Sequence, residues 1–170
     1  STPPPAPAGF DWCSANLAIR RDVPELAGPF DEFLGPGTSF PYAEDIDYKL
    51  RLEAAGVKML STPRPVVCHT FGRRSGVRNV VKYWRQNEAG MGAVAAKLTL
   101  GGDPRGRDWV RDKIRTYTVA LLRRPAPQRV IGSPVRLPTF LAAYRRCLRD
   151  FELDSRGLLT PRRGREALGS

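Results

Sequence analysis

Cysteine is scarce in this sequence: Cys13, Cys68 and Cys147 stand far apart in a chain of 170 residues. An odd, widely spaced set builds neither a disulfide framework nor a zinc site, and it fits a reducing, cytoplasmic setting. Histidine is scarcer still, His69 being the only one. No apolar run approaches the ~18 residues that a membrane span needs, and the N-terminus lacks the basic-then-apolar layout of a signal peptide. No internal repeat is present, so solenoid and propeller architectures are not indicated.

What is present is enough chain for one domain with a real core, though short for an enzyme that must hold two substrates. The net charge of +11 is uneven: residues 1–100 hold 12 Lys and Arg against 10 Asp and Glu, whereas residues 101–170 hold 16 against 7. The basic excess therefore belongs to the second part. Composition of that kind suits nucleic acid, an anionic membrane surface or phosphorylated substrates.

Ser1 to Gly9, with four prolines, reads as a linker or surface loop. The apolar and aromatic run that follows predicts a buried strand near Trp12 to Ile19, and Asp22-Val23-Pro24 opens a short helix or turn. Val57–Leu60 and Val66–His69 are strand candidates, split by a turn carrying Pro63 and Pro65. Strand, helix and strands in that order predict α/β layering. Arg78 to Leu100 reads as a helix in which Gly90 and Gly92 either permit close packing or mark a break. Beyond residue 100 the pattern predicts a basic helical tail: an amphipathic helix over Trp109–Leu122, a proline-punctuated connector over Pro125–Pro138, and a last helix over Thr139–Phe151. That last helix sets Phe140, Tyr144, Leu148 and Phe151 on one face and Arg145, Arg146 and Arg149 on the other. Such faces suit peripheral attachment at the inner side of a membrane.

The stretch from Gly35 to Asp47 organises the rest. A glycine-rich loop leads into a helix predicted over 44–55, with Glu44, Asp45 and Asp47 in its first turn. Acids at a helix start complement its dipole, and that alone accounts for them structurally. The functional reading is that glycines let a substrate approach the backbone, beside a carboxylate placed to take a proton from a bound hydroxyl.

Taken in order, Asn16-Leu17-Ala18-Ile19-Arg20-Arg21, Gly28-Pro29-Phe30-Asp31-Glu32, Gly35-Pro36-Gly37, the Glu44–Leu52 run, Ala55-Gly56 and Pro65-Val66-Val67-Cys68-His69 form a series. It resembles the second half of the catalytic domain of family-2 glycosyltransferases, inverting enzymes of the GT-A fold. The match covers roughly residues 10–100. The resemblance implies a partial GT-A domain over 10–100 that lacks its nucleotide-binding half and Asp-x-Asp metal motif, so the chain looks like a fragment. It implies Asp45 as the catalytic base, Glu44 facing the acceptor, and His69 helping to hold a divalent metal, Mg²⁺ or Mn²⁺, or the diphosphate. The main metal ligands are expected in the absent half.

Direct displacement at an anomeric carbon needs a base for the acceptor proton and positive charge for the departing diphosphate. Arg73 and Arg74, beside Gly72 and Gly76, suit a phosphate clamp, with solvated loop charge as the alternative. Trp84 suits either acceptor stacking or the core, and Gly35 and Gly37, with Asn16, shape the backbone of an acceptor pocket. His69 is otherwise a satisfied core histidine. The expected partners are a nucleotide-sugar donor and a glycan, lipid-linked or small-molecule acceptor. The rival reading is a non-catalytic basic module for anionic membrane or nucleic acid, although no nucleic-acid motif accompanies the arginines.

Overall fold

A computed structural model of the chain describes residues 16–60, 76–122 and 127–163. Its axis is the long helix α3 (Val77–Leu100), preceded by α1 (Val23–Ala27) and α2 (Glu44–Ala54) and followed by α4 (Pro104–Leu122) and α5 (Pro127–Asp150). A C-terminal antiparallel hairpin, β1 (Phe151–Leu153) and β2 (Leu159–Pro161), completes the described chain. Ala93, Val94, Ala95 and Ala96 of α3 are all buried. A helix buries consecutive residues only between partners on more than one side, and α4 and α5 are those partners, each also packed on the other.

Small residues on α3 and α4 set how closely these elements approach. A Cβ at Gly92 would stand 2.4 Å from the Phe140 carbonyl oxygen of α5, and one at Gly106 would stand 2.5 Å from the Ala95 carbonyl oxygen of α3. At Gly90 it would meet the Tyr42 carbonyl oxygen at 2.2 Å. Gly90 and Gly92 therefore mark close packing inside an unbroken helix. Gly90→Ala is expected to push the 40–43 segment off α3 and destabilise the fold by about 1–3 kcal/mol, the usual effect of overpacking. Urea titration checks it, and an unchanged midpoint would mean the contact yields freely.

The expected connector over Pro125–Pro138 is corrected: from Pro127 onward this stretch is helix, running through Pro134 and Pro138. The two prolines are four residues apart and both exposed. The Pro134 carbonyl, which Pro138 cannot bond, thus lies on the solvent side, where water replaces the lost donor. The Thr139 hydroxyl donates to the Val135 carbonyl at 2.7 Å, adding a bond within the same turn. Packing on α3 overrides the local proline signal.

The apolar stripe of the last helix also finds its place. Phe140, Ala143 and Cys147 are buried against α3, and Phe151 is buried at the start of β1. Amphipathic periodicity is the same whether the apolar face meets a membrane or a core, and here it meets the core. Arg145, Arg146 and Arg149 remain on the exposed face. Residues 104–122 and 127–163 are therefore packed on α3 and on one another. Among the described residues no helix is long and apolar enough to cross a membrane.

Of the strand candidates, residues 16–19 and 57–59 form no strand, and Leu60 makes a single β-bridge. Ala18 and Ile19 are exposed, so that segment buries too little to hold an extended partner. The other candidate strand residues, 12–15 and 66–69, lie outside the described residues, as do Cys13 and Cys68. The β1–β2 hairpin had no sequence signal beyond its turn. In that turn the Asp154 carboxylate accepts the N–H groups of Arg156 and Leu158 at 2.9 and 2.8 Å, and Gly157 takes φ 75°.

Candidate functional site

The glycine-rich loop is a closed, internally bonded unit. The Gly35 N–H donates to the Phe40 carbonyl at 2.9 Å and the Phe40 N–H to the Phe33 carbonyl at 3.0 Å. The Thr38 hydroxyl sits inside, 2.9 Å from the Phe33 carbonyl and 2.8 Å from that of Gly35. Phe151 of the hairpin closes the loop from below, its ring centroid 4.9 Å from Phe33 and 5.6 Å from Phe40. Gly35 and Gly37 have φ of 107° and 83°, values that side chains resist. Around Gly35 a Cβ would already touch the Glu44 side chain at 3.4 Å, whereas around Gly37 nothing lies within 4 Å. Gly35 thus seats Glu44, and Gly37 leaves open space at the loop tip.

The chain then enters α2 through Ala43, whose φ of 72° is the one positive value outside glycine among the described residues. A left-handed conformation costs a non-glycine residue about 1–2 kcal/mol, so surrounding contacts hold it; Ala43 is buried in the core. This turn presents Glu44 and Asp45 at the start of α2, without a side-chain cap. Asp45 is half-buried, and its Oδ1 lies 2.9 Å from the N–H of Ile46.

Tyr42 brings α3 into the same place. Its ring meets that of Tyr83 edge-on at 6.1 Å, and its hydroxyl makes side-chain hydrogen bonds with Tyr83 and Asn87, with Asp45 close enough to act on it electrostatically. Burial, then the Tyr83 contact, then the Asp45 charge push the Tyr42 phenol up to about 12, against a smaller opposing effect from Asn87. The folded state therefore holds this proton more tightly than the unfolded chain, whose tyrosines release near ~10. The resulting stability is intact below pH ~10 and is lost as pH rises through about 12. Ultraviolet titration of tyrosinate is expected to show two late groups, because burial and the Glu88 carboxylate also push the Tyr117 phenol up, and to lose one of them in Tyr42→Phe; an unaltered titration in the variant would assign it elsewhere.

Trp84 lies one residue on and turns the other way. Its ring is 3.5 Å from where a Gly132 side chain would begin, so it faces α5 while Tyr83 faces Tyr42. The structure thus brings Gly35, Glu44 and Asp45 together with Tyr42, Tyr83 and Asn87, a trio that sequence reasoning missed. Only spacing could have found it: positions 83, 87 and 90 share one face of a helix. His69, Arg73 and Arg74 lie outside the described residues. Among the described residues no group of three or more His, Cys, Asp or Glu side chains is placed to hold a metal ion, so these residues supply no metal centre.

Comparison of the chain with protein-family models, curated proteins and solved structures finds no match.

Beneath the site runs a buried ionic chain. The Lys97 ammonium lies 2.6 Å from Asp31 and 2.6 Å from Asp47, and Asp47 accepts Arg51 Nε–H at 3.0 Å. Asp31 also accepts the N–H groups of Phe33 at 3.0 Å and Leu159 at 2.9 Å. Arg51 donates onward to the carbonyls of Ala27 and Pro29. Asp47 thus belongs to the scaffold: two carboxylates and two cations tie the glycine loop, α2, α3 and β2 together. Burying such charges is tolerated only when each is paired and hydrogen-bonded.

Proposed function

We propose that the chain is the acceptor-side half of an inverting glycosyltransferase, moving a sugar from a nucleotide-sugar donor to a glycan, lipid-linked or small-molecule hydroxyl. The observation that carries the reading is the Glu44–Asp45 pair, set at a helix start by a strained Ala43, with Gly35 of the glycine loop against the Glu44 side chain. In this reading the Asp45 carboxylate takes the acceptor hydroxyl proton as that oxygen attacks the anomeric carbon. The new C–O bond forms on the face opposite the breaking bond to the diphosphate, so the anomeric configuration inverts. Glu44 orients the acceptor. Arg73 and Arg74 receive the diphosphate charge, and the Mg²⁺ or Mn²⁺ ion implied by the resemblance is left to residues other than those described, His69 among them.

The test uses the chain with a donor-binding half supplied in cis or in trans, with UDP-, GDP- and dTDP-sugars and a panel of acceptors. Transfer with inverted anomeric configuration, read by NMR of the product, is expected; retention, or no transfer from any donor, would overturn the reading. The isolated chain is expected to bind none of these donors in the micromolar range, and calorimetric titration checks this.

A further inference from the structure

A groove of about 610 Å³ runs along α4 and α5, its lining without Glu44 or Asp45. Behind its wall sits Glu88 of α3, 0% exposed. The Tyr117 hydroxyl donates to Glu88 Oε1 at 2.7 Å, Arg136 Nε–H donates to the same oxygen at 2.9 Å, and the Lys113 ammonium donates to Oε2 at 2.9 Å. Within this inner cluster one carboxylate therefore faces two cations, leaving one positive charge that the exposed Asp112 carboxylate at the lip partly offsets. Both cations keep part of their surface at the groove: the Lys113 and Arg136 side chains are 24% and 29% exposed. Met91 and Trp109 supply an apolar wall, and Asp112 and Thr116 stand at the exposed lip.

We propose that this groove binds a singly charged organic anion: a carboxylate or phosphodiester head carrying an apolar group. Lys113 and Arg136 hold the head, and Trp109 and Met91 cover the body. Glu88 anchors both cations in advance, so little side-chain freedom remains to be lost on binding, and partial burial strengthens the charge-assisted bonds they form. The charge count selects the ligand. A monoanion cancels the surplus of the inner Glu88–Lys113–Arg136 cluster, whereas a dianion would add a further charge against the exposed Asp112 carboxylate at the lip, which already offsets part of that surplus. Apolar surface at Trp109 favours a ligand with a hydrocarbon or ring body over a small inorganic ion. The site is separate from Asp45 and does not depend on the transferase reading.

Calorimetric titration of the whole chain with octanoate tests this, alongside octanamide, inorganic phosphate, and vesicles of phosphatidylglycerol or phosphatidylcholine. Two substitutions at exposed lip positions keep the fold: Thr116→Glu adds a competing carboxylate, and Asp112→Asn removes a repelling one. Octanoate is expected to bind one to one, on the order of ten-fold more weakly to Thr116→Glu and about three-fold more tightly to Asp112→Asn, as partly screened charges at close range would give. The same paired response with phosphatidylglycerol vesicles, in place of octanoate, supports the site and assigns the head to a lipid. Octanamide or phosphate binding as well as octanoate, equal binding to both vesicle types, affinities that neither substitution moves, or no binding to octanoate or phosphatidylglycerol would each overturn it.

Discussion

Asp45→Asn is expected to lower transfer by on the order of 10²–10⁴-fold, the usual contribution of a positioned general base, while leaving the melting temperature nearly unchanged. The two halves of that expectation have different sources. An amide oxygen can still accept the Ile46 N–H that Asp45 accepts at 2.9 Å, so the start of α2 is retained. The amide cannot take a proton from an acceptor hydroxyl, so the attacking oxygen loses its base. Turnover measured with the donor-binding half present separates the outcomes. Activity near that of the parent would remove Asp45 from the mechanism, and a parallel loss of stability would recast it as a scaffold residue like Asp47. Glu44→Gln is the companion: as an acceptor-orienting residue it should raise KM for the acceptor more than it lowers kcat.

Lys97→Met should cost about 3–5 kcal/mol of stability, the range for removing one partner of a buried ion pair. Lys97 stands 2.6 Å from each of two carboxylates that are themselves only 2% and 3% exposed. Without its ammonium, Asp31 keeps two N–H donors and Asp47 keeps Arg51, but two negative charges then share one buried space. For a chain of this size each kcal/mol moves the melting temperature by roughly 2–4 °C, so a fall on the order of 10 °C is expected by calorimetry. Lys97→Met combined with Asp31→Asn should recover part of it, because one unpaired charge is gone and the amide oxygen can still accept from Leu159. A fall below ~1 kcal/mol in the single variant would show that the cluster is hydrated and contributes little. Asp31 also holds Phe33 at the base of the glycine loop, so the same substitution is expected to loosen the entry to Asp45.

What could be read from the residues alone was local. The period of Ile46, Leu50 and Ala54, with acids ahead and Gly56 behind, specified α2, which forms over Glu44–Ala54. Glycines in Gly35-Pro36-Gly37 announced a loop, and both adopt positive φ there. The long helix through Gly90 and Gly92 was legible too, because thirteen good helix formers outweigh two glycines at ~1 kcal/mol each. Tertiary structure decided everything that joins distant positions. Lys97 meets Asp31 across 66 residues, and no spacing rule reaches that far. Pro134 and Pro138 are breakers by sequence, yet they sit within a helix because α3 holds its apolar face. Tyr83 faces Tyr42 and Trp84 faces α5, a distinction of one 100° step that composition cannot make. Sequence by itself determined which segments curl and where acids gather at a helix start. Which of those acids is buried against Lys97, and which stands open beside Tyr42, was set only when remote segments packed together, since burial and pairing are properties of the assembled neighbourhood.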